Sequence, residues 1–91
     1  MPVEIRLSKR FLKSAGSLSD VDYGRVEAAL IQLQKQWGSP HIYGGLSIRK
    51  LHGNYFECRA GLEIRIVFRA TDDGLDVVLA GNHDDIRRLF C

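Results

Sequence analysis

The chain has little that could staple it together or carry it to a membrane. Its 91 residues include two cysteines, Cys58 and Cys91, far apart and without paired spacing. That excludes a disulfide framework and reads as reduced thiols in a cytoplasm. No apolar run approaches membrane-spanning length, and Met1-Pro-Val-Glu-Ile-Arg6 is too polar for a secretion signal. The expectation is a cytoplasmic protein with no membrane partner. His41, His52, His83 and the cysteines show no ligand spacing of the H-x3-H or C-x2-C kind, so neither metal nor cofactor is expected. There are no repeats, no low-complexity tract and no linker. Net charge is also slight: 13 Lys plus Arg against 11 Asp plus Glu leave +2. As a nucleic-acid footprint that sum is weak, and the distribution of charge has to carry the argument.

What is present suffices for one small core. A hydrophobic fraction of 45% belongs to a folded chain. Residues 1–91 make a single domain, which at this size buries only about 60–65% of its unfolded surface. Arg outnumbers Lys nine to four. Arginine suits forked contacts to phosphate or carboxylate, although Arg-rich codon usage gives the same count.

Periodicity orders the elements. Val3 to Leu7 alternates as a half-buried strand. Ser8 caps a brief helix carrying Phe11, Leu12 and Ala15, and Gly16 stops it. Ser19 or Asp20 opens a longer helix whose stripe is Val26, Ala29, Leu30, Leu33 and Trp37, ended by Gly38 and Pro40. A glycine-rich loop with Gly44-Gly45 follows. Four short strands come next: Ser47 to Leu51, Tyr55 to Ala60, Ile64 to Ala70 and Leu75 to Ala80. Their turns are His52-Gly53-Asn54, a region around Gly61, and Asp72-Asp73-Gly74, where Asp-Gly suits a tight primed turn. Asp84 to Phe90 forms a last helix of about two turns. The sum is an α+β fold in β-α-α-β-β-β-β-α order. Its small, mostly antiparallel sheet carries the two N-terminal helices on one face, with a short C-terminal helix to close.

Strand parity sorts the side chains. Ile64, Ile66 and Phe68 share the core face with Phe56, Cys58 and Ala60. Arg65, Val67 and Arg69 lie opposite, with Tyr55, Glu57 and Arg59. Arg59 and Arg65 thus come side by side, which calls for an anion between them; Glu57 and Glu63 are the built-in candidates.

The phrases Lys50-Leu-x-Gly, Tyr55-x-Glu-x-Arg59, Ile64-Arg65-Ile-Val-Phe68 and Gly81-Asn-His83-Asp-Asp, with the Phe11-Leu-Lys13 start and the long helix, resemble the RelE/ParE superfamily of type II toxins. The RelE branch implies an endoribonuclease that cuts messenger RNA on the ribosome and is silenced by a cognate antitoxin, with DNA met only through that antitoxin. The ParE branch implies a gyrase inhibitor acting by binding, and a third expectation is an inactive relative that only binds its antitoxin. RNA cleavage by its own 2′-hydroxyl needs a base, an acid and cationic stabilisation, and no metal. By resemblance, Arg65 matches the strand arginine on the scissile phosphate, Arg59 lies near the basic position of the previous strand, and His83 takes the acid–base place. Lys50, His52, Arg49 and Tyr55 would assist in holding RNA. Glu57 stands where the RelE branch often carries lysine, and only Phe90 could serve as its terminal aromatic.

Each residue also has a plainer reading. His83 could simply cap the final helix with its neighbours Asp84 and Asp85, whose charges suit a helix N-terminus. Arg65 could pair with Glu57 instead of RNA. His52 could be solvated, and of Tyr55 and Phe56 one must face away from the core.

Overall fold

The computed structural model describes residues 3–38 and 46–90. Expectations for the N-terminal Met1-Pro2, for Pro40, His41 and Gly44-Gly45, and for Cys91 fall outside those residues. The elements are β1 (Glu4–Leu7), α1 (Lys9–Gly16), α2 (Asp20–Gln36), β2 (Arg49–His52), β3 (Tyr55–Arg59), β4 (Arg65–Ala70), β5 (Gly74–Gly81) and α3 (His83–Leu89). This is the expected α+β order. The sheet runs β1-β5-β4-β3-β2, antiparallel except for the parallel pair β1–β5. The first strand of the chain therefore lies beside the last. No helix among the described residues is long and apolar enough to cross a membrane.

Serine hydroxyls start both early helices. Ser8 accepts from the Phe11 N–H and Ser19 from the Asp22 N–H, each satisfying a first-turn donor that has no partner inside the helix. The α2 stripe buries Val26, Ala29 and Leu33 and leaves Leu30 and Trp37 half-buried against the core. Trp37 meets Phe56 and Phe68 edge-on, at centroid distances of 5.1 and 5.3 Å. Phe56 thus takes the core side and Tyr55 the other. Phe68, Leu33, Ile66, Leu75 and Val77 are completely buried on this helical face. Full burial of each such side chain contributes about 1.5–3 kcal/mol.

Three local expectations change. Helix α1 runs through Gly16 and is capped by Ser17 in an ordinary right-handed conformation, so Gly16 is not a left-handed stop. None of residues 71–74 has a positive φ, so Asp73-Gly74 is not a primed turn. Glycine is needed there because a Cβ on Gly74 would lie 2.5 Å from the Glu4 carbonyl oxygen of β1. The positive φ falls in the β2–β3 hairpin instead, at Gly53 (+55°), which with Asn54 joins His52 to its partner Tyr55. His52 is accordingly the last residue of β2 and not part of the turn.

A bulge in β5 sets the other face. Val67 pairs with Leu79 and Phe68 with Val77, which leaves Val78 as the extra residue. The bulge reverses the parity, so Ala80 joins the helical core while Leu79 turns to the opposite side. On that opposite side Val67 and Glu57 are nonetheless buried. The short helix α3, with Ile86 buried, folds back from β5 to cover them.

Candidate functional site

Residues on one stripe of α3 build the wall of a cleft. His83, Ile86, Arg87 and Phe90 follow the i, i+3, i+4, i+7 spacing of a single helical face. They line a cleft of about 470 Å3 together with Arg49, Leu51 and His52 of β2 and Glu57 of β3. The helix is held in place by its start. The Asn82 side chain accepts from the Asp85 N–H at 2.9 Å, and the Asp85 carboxylate accepts from the Asn82 N–H at 3.0 Å. This reciprocal capping box satisfies two otherwise orphaned donors. Gly81 permits it, since a Cβ there would lie 2.6 Å from the Asp85 carboxylate.

The cap also disposes of negative charge. Asp85 is occupied by the Asn82 backbone and by Arg88, and neither Asp84 nor Asp85 lines the cleft. His83 is the first residue of α3, exposed, while Asn82 does the capping. The capping reading of His83 therefore fails, since Asn82 takes that role, and His83 lines the cleft from the first position of the helix.

The floor is an ion cluster. Glu57 is 2% exposed, and its carboxylate accepts from Arg65 at 2.5 Å and from Arg49 at 3.2 Å. A buried carboxylate is tolerable only with such charge-assisted partners. The register puts Arg59 directly across from Arg65, as strand parity implies. Arg65 resolves the repulsion by turning to Glu57, while Arg59 stays exposed and has no ion pair among the described residues. Burial, and secondarily the Glu57 charge, push the neighbouring Cys58 thiol up to about 12. It is an inert core group, not a nucleophile.

The sequence-derived candidates separate accordingly. Arg49, His52 and His83 line the cleft. Tyr55 stands at its end and meets Phe90 edge-on at 5.5 Å. Arg65 lies beneath, bound to Glu57. Lys50 pairs in register with Phe56, whose ring belongs to the helical core, so Lys50 sits on the sheet face opposite Arg49. Neither Lys50 nor Arg59 lines the cleft. Arg87 was missed, although its i+4 spacing from His83 was there to be read.

No family model and no characterised protein matches the sequence. Solved structures do match the fold. One is the E. coli DinJ–YafQ toxin–antitoxin complex, with a TM-score of 0.75, 14% identity, and coverage of 94% of this chain and 98% of that one. Another is the RelB–RelE antitoxin–toxin complex of Methanococcus jannaschii, at 0.73 and 18%, covering 94% and 99%. YafQ from E. coli strain BL21(DE3) matches at 0.71 and 15%, covering 92% and 97%. At such identities the likeness is one of backbone architecture, and it extends over nearly the full length of each partner: the chain has the RelE-type toxin fold.

Proposed function

We propose that the chain is the toxin of a type II toxin–antitoxin pair and acts as an endoribonuclease on messenger RNA, with the ribosome as its working platform. The observation that carries this reading is the convergence of His52 and His83, with Arg49 and Arg87, on one cleft ending in the Tyr55–Phe90 aromatic pair. In the proposed reaction the ribose 2′-oxygen loses its proton and bonds to phosphorus, while the bond from phosphorus to the 5′-oxygen breaks and that oxygen gains a proton. His83 is the proposed proton-transfer residue, and His52, which lines the same cleft, would serve as the second. An imidazole changes charge near neutral pH and fits either task. Arg49 and Arg87 would stabilise charge on the phosphoryl oxygens. Tyr55 and Phe90 offer aromatic surface against which an unstacked base can lie.

Arg65 enters this scheme through Glu57. Its guanidinium is engaged by a buried carboxylate that also draws in Arg49, so its proposed part is to position Arg49 beneath the substrate. A cognate antitoxin would silence the chain, and contact with DNA would come only through that antitoxin.

Induced expression tests the proposal. Protein synthesis should stop rapidly, with new 5′ ends inside translated codons. His83→Ala should slow cleavage by about 10²-fold or more while leaving the thermal midpoint unchanged, because His83 is exposed. Arrest with intact messages and damaged DNA would instead favour gyrase inhibition, and cells that grow normally would point to an inactive relative.

A further inference from the structure

Helix α2 is apolar on two sides. Val26, Ala29 and Leu33 are buried against the sheet. On the helical face directly opposite, Val21, Gly24, Ala28 and Ile31 follow one another at steps of three, four and three residues, and all are exposed. The two large ones are well out in water, Val21 at 64% and Ile31 at 55%. A helix serving one core alone carries polar residues there. Gly24 is an independent sign. A Cβ on it would meet nothing within 4 Å, and its backbone is not left-handed. Nothing inside the chain therefore calls for glycine, which costs about 1 kcal/mol relative to alanine in a helix interior. Close approach of another backbone would account for it.

We propose that this face pairs with the same face of a second copy of the chain, the two α2 helices running parallel about a two-fold axis. The spacing is that of a coiled-coil seam, with Val21, Ala28 and Lys35 at one core position of the seven-residue repeat and Gly24 and Ile31 at the other. Val21 and Ile31 would each meet their counterpart, while Gly24 and Ala28 let the backbones come close between them. Charge names the occupant. Asp20 and Glu27 lie along one flank of the stripe, Arg25 and Gln32 along the other. A parallel two-fold lays the acidic flank of each copy on the basic flank of its mate, and brings Asp20 beside the partner's Arg25 twice. An antiparallel pair would instead set like charges together, Arg25 facing Arg25 and Glu27 facing Glu27. Both partners are available: Asp20 has no ion pair among the described residues, and Arg25 has only Asp22, at 3.5 Å on the side away from the stripe. Lys35 ends the seam, its aliphatic stem lying along the contact and its ammonium in water. One lysine at such a position suits a pair rather than a larger bundle.

The cleft lined by His52 and His83 lies on the other face of the sheet, so pairing through α2 leaves it open and does not depend on the toxin reading. A single helix pair is a small interface, so sedimentation of the purified chain over about 5–500 μM should show a monomer passing into a dimer near the upper end. Ile31→Glu should weaken the dimer by about tenfold or more, because it buries a charge in the seam. Its thermal midpoint should not move, since the side chain is exposed in the monomer. Asp20→Arg should weaken the dimer by about fivefold, and adding Arg25→Asp to the same chain should restore it. In a Cys91→Ser background, Gly24→Cys should cross-link to its own counterpart on mild oxidation, faster than a mixture of Gly24→Cys and Ala28→Cys chains cross-links to each other. A chain that stays monomeric throughout overturns the proposal, and so does a dimer that Ile31→Glu leaves intact. Faster cross-linking between positions 24 and 28, or no rescue by the charge swap, overturns the parallel pairing. A monomer that instead floats with phosphatidylglycerol vesicles through Ile31 assigns the stripe to a lipid surface and overturns it as well.

Discussion

The open face of the sheet carries two carboxylates, each held by two arginines, and they differ mainly in burial. Glu57, between Arg49 and Arg65, lies under α3 with almost no exposure. Asp76, between Arg6 and Arg69, sits at the uncovered end of β5 with its side chain 27% exposed. The chemistry is the same and the consequences diverge. Around Asp76 water screens every charge, and the cluster mainly ties β1 to its neighbours. Around Glu57 the helix excludes water, so the same ions must be paired, and the pairing fixes where Arg49 enters the cleft. One cluster fastens an edge; the other forms part of a cleft wall.

The largest expected effect comes from breaking the buried cluster. Arg65→Ala should cost about 3 kcal/mol, the low end for removing one partner of a buried pair, since Arg49 remains. Urea unfolding measures it, and a loss below about 1 kcal/mol would show that Glu57 is better solvated than its burial implies. RNA cleavage should fall as well, because Arg49 loses its fixed neighbour. The Arg65→Lys variant separates the two effects, as it keeps the charge and loses the fork.

A smaller effect sharpens the comparison from within the core. Cys58 stays protonated in the folded chain up to about 12, held there by burial first and by Glu57 second. Unfolded thiols ionise near about 8.5. Above that pH the unfolded state gives up a proton that the folded state keeps, so stability should fall with rising pH across that window. In a Cys91→Ser background, iodoacetamide should label Cys58 only as the chain unfolds. Rapid labelling of the native chain at mildly alkaline pH would refute the assignment.

The smallest effect belongs to the exposed cluster. Hydrogen bonds from Arg69 and then Arg6 hold the Asp76 carboxyl below its usual range, and the same contacts raise both guanidinium groups. Stability from Asp76 is therefore present at neutral pH and lost as pH falls below the unfolded value of about 3.9. Asp76→Asn should show a deficit near neutral pH that fades in acid and shrinks in high salt. A deficit that persists in both would place Asp76 with Glu57 after all.

Much of this is legible in the sequence. Period 3.6 in Val26, Ala29 and Leu33 and period 2 in Ile66 and Phe68 reflect side-chain geometry intrinsic to helix and strand, so elements and core face could be read off directly. The facing of Arg59 and Arg65 followed from the same parity. What escaped depends on contacts between distant segments. Gly74 looked like a turn residue, yet its constraint is the backbone of Glu4, seventy positions earlier. Lys50 belongs with the residues expected to hold RNA, but the strand register puts it on the side of Phe56.

The sequence by itself determined the order of elements, the apolar face of the sheet and the starts of the helices, because those depend on near neighbours and on the fixed pitch of the backbone. Tertiary structure alone decided that Glu57 would be a buried anchor rather than a misplaced charge. It also decided that His52, His83, Arg49 and Arg87 would share one cleft. The reason is that α3 folds back over the open face, and only packing between residues far apart in the chain can dry out one carboxylate while leaving its twin in water.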